Sequence, residues 1–343
     1  MEISVEEALR GDYLFVDLRS EKEYGESHIP FATSVPLLDD DARETVGTLY
    51  RKAGREEAIR QGLEYVGPLL APLVAELKEL AKEKEIVLYC SRGGMRSKSM
   101  YTLLDSLGVA GVHRLQGGYK DYRRYVLETM PKLIEEKLFV VFQGLTGVGK
   151  TKILEELTKD YFVLNLEELA KHRGSVFGDI GQEHQPSQKA YENMIFHQLL
   201  HGPKLVLVEA ESTRIGKLTL PRELKEKMRI SPLILLEASL GERTDLLYEI
   251  YVEQFRDGEE EILADLWKLK RQLGRAFCED LEYKIRNDHI KEAIASLLEN
   301  YYDPLYMHSI KKTKDKNVML RLSSHSADVI EEIKRSLHDL LHS

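Results

Sequence analysis

Phe139 to Leu154 reads FVVFQGLTGVGKTKIL. Its centre, Gly144-Leu-Thr-Gly147-Val-Gly149-Lys150-Thr151, has the phosphate-loop spacing of Gly, four residues, then Gly-Lys-Thr. The flanks suit that reading. Leu138 to Phe142 is an apolar run expected to form a buried parallel strand, and a helical pattern starts near Lys150. Glycines let successive backbone N–H groups curl around an anion, and the helix N-terminus adds positive potential. Lys150 is then placed to reach a terminal phosphate, and Thr151 to hold a metal ion or a phosphate oxygen. The plainer alternative is a Gly-rich strand-to-helix turn. The motif speaks strongly for phosphate and weakly for what carries it.

The rest of the composition sets bounds. A chain of 343 residues accommodates two domains with sizeable cores, and 43% hydrophobic with 31% charged residues is ordinary for a globular protein. No apolar run approaches the ~20 residues of a membrane span, and the acidic opening MEISVEEALRGDY lacks an apolar signal core. A membrane is therefore not an expected partner. Cys90 and Cys278 make no disulfide framework, so the expected location is a reducing cytoplasm. The net charge of −9 argues against a general nucleic-acid coat protein. It leaves room for local basic clusters such as Arg51-Lys52 with Arg55, Arg123-Arg124, and Lys311-Lys312 with Lys314 and Lys316.

In the first third, short apolar strands alternate with helical patterns. Tyr13–Asp17, Glu85–Tyr89 and Val112–Leu115 read as strands, and residues 55–84 as helix broken at Gly67-Pro68. Alternation of this kind predicts a parallel sheet covered on both faces. Cys90 follows the second of these strands directly, in Cys90-Ser-Arg92-Gly-Gly-Met-Arg96-Ser97. Open α/β sheets place ligands at the carboxyl ends of their strands. Backbone N–H groups, a helix N-terminus and two guanidinium groups would lower the thiol pKa and hold an anion attached to sulfur. A buried structural cysteine is the plainer reading. Cys278, in a helical stretch without such neighbours, is expected to be packing.

The segments Asp17-Leu-Arg19, His28-Ile-Pro30, the Cys90–Arg96 loop and Gln116-Gly-Gly-Tyr119 resemble a rhodanese domain over about residues 1–128. In that family the cysteine carries a persulfide, and a loop of this length is associated with sulfur or selenium transfer. A charged helical linker is expected over about Lys120–Lys137.

Beyond the phosphate loop, Tyr161–Leu164, Lys204–Val208 and Ser231–Leu236 read as strands, and residues 241–300 as helical. A polar loop, Lys171-His172-Arg173-Gly-Ser175, offers two cations and a hydroxyl. Glu209 and Glu211 follow the strand Lys204–Val208, where phosphate-loop proteins hold a metal-bound water. Glu209 and Glu211 are expected to point to opposite sides, so that one of them faces the site. Asn317–Leu322 and Ala327–Leu341 are a candidate strand and a last helix. The predicted fold class is α/β. A rhodanese-like parallel-sheet domain (1–128) precedes a P-loop NTPase-like domain (129–240) with a helical C-terminal region (241–343).

A rhodanese-like domain fused to a phosphate-loop domain resembles the tRNA 2-selenouridine synthase family. Finer segments agree: Gly47-Thr-Leu-Tyr50, His172-Arg-Gly-Ser175, Gln185-Pro-Ser-Gln188, Glu211-Ser-x-Arg214-Ile-Gly216 and Tyr301-Tyr302-Asp303-Pro-x-Tyr306. The resemblance implies a two-stage modification of the tRNA wobble uridine. Geranyl diphosphate first alkylates a 2-thiouridine, and selenium from selenophosphate then replaces the geranylated sulfur. Gly144, Gly147, Gly149, Lys150 and Thr151 would stabilise the departing diphosphate. Cys90 would receive or deliver selenium as a perselenide, with Arg92 and Arg96 on the selenophosphate oxyanion. Arg173, Ser175, Glu209, Glu211 and Arg214 are candidate substrate or tRNA contacts. Tyr301, Tyr302 and Tyr306 suit either base stacking or the core. No tightly bound cofactor and no metal ligand set is expected, although magnesium with the diphosphate is compatible with the motif. Two other readings stay open: an ATP-using enzyme fused to a sulfurtransferase, and a sulfur relay with the phosphate-loop half as a docking platform.

Overall fold

Strands such as Ile86-Val-Leu-Tyr89 are apolar at every position, which suits a strand covered on both faces rather than one, and all four residues are fully buried. The computed structural model describes residues 1–172, 184–257, 259–305 and 317–342. Arg173 and Ser175, Tyr306 and the cluster from Lys311 to Lys316 lie outside the described residues. The chain divides into two units. One holds Met1–Lys132 with Pro186–His197; the other holds Leu133–Gln185 with Gln198–Ser343. Among the described residues, no helix is long and apolar enough to cross a membrane.

The first unit is built on β1 (Glu2–Ile3), β2 (Leu14–Asp17), β3 (Thr33–Ser34), β4 (Ile86–Tyr89) and β5 (Val112–Leu115), in the order β1-β5-β4-β2-β3. Every neighbouring pair is parallel. Val16, Leu18, Leu77, Ile86, Leu88, Met100 and Leu104 fill its core. Two short helices start with reciprocal caps: Ser4 with Glu7, and Ser20 with Glu23.

Asp17 and Arg19 are buried and form an ion pair of 2.6 Å. The Arg19 guanidinium also donates to the Ser27 carbonyl at 2.7 Å and lies 4.1 Å from the centre of the Tyr119 ring. The Tyr89 hydroxyl accepts from the Ile29 N–H at 3.3 Å. The Asp-Leu-Arg, His-Ile-Pro and Gly-Gly-Tyr segments are thus three loops fastened to one another. The stretch expected as a helical linker is helix Gly118–Glu136, whose Tyr122, Val126, Met130 and Ile134 stripe is buried. Its i, i+4 spacing makes it a packing element rather than an exposed connection.

The second unit continues with β6 (Leu138–Gln143), β7 (Val163–Leu164) and β8 (Leu205–Glu209), an antiparallel hairpin of β9 (Arg214–Ile215) and β10 (Leu218–Thr219), then β11 (Leu233–Glu237) and β12 (Val318–Ser323). The main sheet runs β12-β11-β6-β8-β7, all parallel. The candidate strand of the C-terminal region is thus the edge strand β12. Helices Lys150–Leu157 and Val329–His342 pack Ile153, Leu154, Ile333 and Leu337 against Val140, Phe142 and Leu207. Cys278 is fully buried in helix Arg275–Arg286, as expected of a packing residue. Tyr302 is buried with Ile290, Ile294 and Leu298, which makes it a core residue.

Removing one partner of a buried ion pair leaves an uncompensated charge. Asp17→Ala is expected to cost about 3–5 kcal/mol in urea unfolding followed by circular dichroism. A loss under about 1 kcal/mol would mean that the pair does not hold the three loops.

Candidate functional site

Cys90 leaves the carboxyl end of β4 and is 3% exposed. Its Sγ lies 3.2 Å from the Ser97 Oγ, a buried hydroxyl on helix Met95–Ser106. The loop from Cys90 is backed by the turn at Gly117-Gly118. The Tyr119 N–H donates to the Cys90 carbonyl at 2.9 Å, and the Lys120 N–H to the Ser91 carbonyl at 2.9 Å. Gly118 has φ +61, and a Cβ there would lie 2.2 Å from the Cys90 carbonyl oxygen. Only glycine permits that approach. Arg114 donates to the Gly93 carbonyl at 2.6 Å and holds the loop from its other side.

The two arginines of this loop differ. Arg92 is exposed. Arg96 is bound to the Glu23 carboxylate, at 2.7 and 3.3 Å. Burial works to raise the pKa of Glu23, but Arg96 and Arg43 outweigh it and hold the carboxyl below its ordinary value. Glu23 also caps its own helix. One carboxylate thereby fixes both a helix start and an arginine beside the cysteine loop.

In the second unit, the loop from Gly144 to Gly149 joins β6 to helix Lys150–Leu157. Gly147 and Gly149 have φ +80 and +85. A Cβ on Gly144 would lie 2.6 Å from the Leu236 carbonyl oxygen. Lys150 Nζ curls back onto the Gly144 carbonyl at 3.1 Å and lies 3.5 Å from Glu209. The Thr151 hydroxyl donates to Glu209 at 3.2 Å. Phosphate-loop lysine, threonine and strand-end carboxylate thus meet.

The expectation that Glu209 and Glu211 point to opposite sides does not hold, because residues two apart lie on the same side of an extended backbone. Both carboxylates reach the same place. Glu167, on helix Leu166–Ala170, joins them, and carboxylate oxygens of the three lie within 4.8 Å of one another. Burial, then repulsion from Glu167 and Glu209, raises the pKa of Glu211 well above the usual carboxylate range. Lys225 donates to the Glu211 backbone carbonyl.

Arg214 is exposed on β9. Its hairpin is pinned by the Gln185 side chain, which donates to the carbonyls of Ala170 and Ile215 at 3.1 and 3.0 Å and accepts from the Lys217 N–H at 2.7 Å. Two residues that the sequence did not mark as site residues hold the phosphate loop itself. Arg243, buried, donates to the Thr146 carbonyl at 3.2 Å and to both Asp303 carboxylate oxygens at 2.8 Å. The Tyr-Tyr-Asp-Pro stretch therefore contributes a loop clamp through Asp303. Glu167 was also missed. No local motif marks it, and only the fold brings it to Glu209.

Comparison with known proteins bears on what this arrangement is for. The profile of the tRNA 2-selenouridine synthase AAA domain matches residues 137–339, and that of the rhodanese-like domain matches residues 4–125. A tRNA 2-selenouridine synthase from Aeromonas salmonicida (strain A449) is 34% identical over 338 residues, covering 90% of each chain. A protein of the same name from Marinobacter nauticus is 31% identical over 358 residues, covering 95% of each. Among solved structures, the N-terminal domain of a putative ATP/GTP binding protein from Clostridium difficile 630 is 46% identical, with a TM-score of 0.36, covering 37% of this chain and 99% of that one. With both domains matched and relatives aligned over nine-tenths of its length, the chain belongs to the tRNA 2-selenouridine synthase family.

Proposed function

We propose that this protein is a tRNA-modifying transferase that converts 2-thiouridine at the wobble position to 2-selenouridine through a geranylated intermediate. The observation that supports this most is a family match over nine-tenths of a chain that holds a cradled cysteine and a phosphate loop. In the first stage the thiocarbonyl sulfur attacks the geranyl C1. The C–O bond breaks, and diphosphate leaves. The reading assigns the N–H groups of the loop, Lys150 and Thr151 to the charge developing on that leaving group.

In the second stage a C2–Se bond forms, the C2–S bond breaks, and geranyl thiol departs. Selenophosphate carries selenium at the selenide level, so hydrolysis of its P–Se bond to phosphate balances the step without an oxidant. A Cys90 perselenide would need selenium at a higher oxidation level. The reading therefore takes Cys90 as the thiol beside which selenium is handed over. The exposed Arg92 is assigned to the selenophosphate oxyanion. Arg96, already bound to Glu23, is assigned to shaping the loop. Arg173, Ser175 and Arg214 remain candidate tRNA or phosphate contacts, and location in the cytoplasm is part of the same proposal.

A divalent cation fits the second site. Thr151, Glu209, Glu211 and Glu167 would hold it, and it would supply positive charge to a bound diphosphate. In its absence Glu211 carries a raised proton affinity. Folded protein then binds more protons than unfolded protein above about pH 4.5, and stability falls as pH rises through that window.

Two experiments test these assignments. The first incubates 2-thiouridine tRNA with the protein, geranyl diphosphate and selenophosphate, and reads nucleosides by mass spectrometry. Wild type should give selenouridine, and Cys90→Ala should stop at the geranylated product. Lys150→Ala should slow geranylation by about 10²-fold or more. Unchanged tRNA with well-folded wild type would overturn the reading. The second follows thermal melting at pH 8. Glu211→Gln should raise the midpoint by on the order of 2–4 °C and flatten the fall in stability with pH. Magnesium should raise the wild-type midpoint and leave that of Glu209→Gln unmoved. Equal magnesium responses in both proteins would argue against the cation site.

A further inference from the structure

Residues 186–197 lie in sequence between β7 and β8 of the second sheet, yet they belong to the first unit. The Ser187 hydroxyl donates to the Glu26 carbonyl at 2.6 Å and accepts from the Ala190 N–H at 3.1 Å, so it starts helix Gln188–His201 while tying it down. Glu192 accepts from Arg123 at 2.5 Å and from Gln188 at 3.0 Å. Next to it, Asn193 is 1% exposed, and a buried amide must find partners. Its Nδ2 donates to the His28 carbonyl at 2.8 Å and to the Tyr119 hydroxyl at 3.0 Å. Its Oδ1 accepts from Arg123. The Tyr119 hydroxyl in turn donates to Ser27 at 2.7 Å, and the Tyr119 N–H donates to the Cys90 carbonyl.

We infer that Asn193 is a positioning residue for the Cys90 loop, acting through Tyr119. Tyr119 needs both ends fixed. Its N–H holds the first carbonyl of the cysteine loop, and its hydroxyl is set by Asn193 on one side and Ser27 on the other. Asn193 also bonds the carbonyl of His28, in the loop that Arg19 and Tyr89 fasten through Ser27 and Ile29. An amide with two N–H donors and one acceptor serves all three partners at once. Aspartate has the same shape and keeps the Arg123 contact, but it cannot donate to the His28 carbonyl. An aliphatic side chain leaves the His28 carbonyl and an Arg123 N–H buried and unmet. The setting of the cysteine therefore depends on an amide encoded some hundred residues later, inside the phosphate-loop half of the sequence. The inference holds whatever group Cys90 handles.

The test reads Cys90 directly in the full-length protein. The alkylation rate of the Cys90 peptide by iodoacetamide is followed by mass spectrometry from pH 6 to 9 in wild type, Asn193→Ala, Asn193→Asp, Tyr119→Phe and the Asn193→Ala/Tyr119→Phe double variant. Loss of the tie frees a loop whose cysteine is almost wholly covered. Asn193→Ala should therefore raise the alkylation rate by about tenfold and shift the midpoint of its pH profile. Tyr119→Phe should do the same, and the double variant should add little to either, because both act along one path. Asn193→Asp supplies the comparison if the alanine variant folds poorly. A lowered melting temperature with an unchanged Cys90 rate and pH profile, or fully additive effects in the double variant, would overturn the inference and leave Asn193 a structural residue only.

Discussion

A parallel sheet carries the carboxyl ends of all its strands to one edge, and each of the two main sheets here is parallel throughout. That constraint governs where reactive groups can gather. In the first unit the edge holds Cys90, at the end of β4, with the Asp17 carboxylate one strand away. In the second it holds the phosphate loop after β6 and Glu209 at the end of β8. The helices that cover the faces then begin beside these same edges. In the second unit a lysine, a hydroxyl and carboxylates are assembled from segments far apart in sequence.

The supports beneath the reactive groups are as specific as the groups themselves. The buried Asp17–Arg19 pair, the Tyr119 ring against the guanidinium and the glycine at 118 leave the cysteine loop little freedom. In the second unit, Arg243, itself held by Asp303, donates to the Thr146 carbonyl, so the phosphate loop is secured by the helical region that follows β11. Several residues of the motifs also make structural contacts. Tyr302 packs in the core, Gln185 pins the hairpin that carries Arg214, and Arg96 is neutralised by Glu23.

What the sequence made readable was whatever chemistry compresses into neighbouring positions. Gly144 to Thr151 must be contiguous to wrap an anion, and the cysteine loop must run from strand to helix without interruption. Both appear where they were expected. Partners joined only by folding left no such trace. Glu167 reaches Glu209 from the helix after the neighbouring strand β7, Arg243 finds Asp303 from 60 residues away, and Asn193 meets Tyr119 from 74. The error over Glu209 and Glu211 has a different origin. Residues two apart share a side of an extended strand, so the spacing itself pointed to one shared site for both carboxylates. The charged run after Tyr119 forms the expected helix, and its long polar side chains concealed a buried stripe at every fourth position.

The placement of residues 186–197 has a consequence for how the protein is made. Synthesis proceeds from the N-terminus, so the first sheet is complete by Leu115, yet its unit lacks a packing segment until His197 has been added. At about 5–20 residues per second, that interval lasts on the order of seconds. During it, the groups that later meet Asn193 and Glu192 face water or a chaperone. Nascent chains would therefore hold an unfinished first unit while β6, the phosphate loop and β7 emerge. The order of manufacture ties the ripening of the cysteine loop to the arrival of its downstream neighbour.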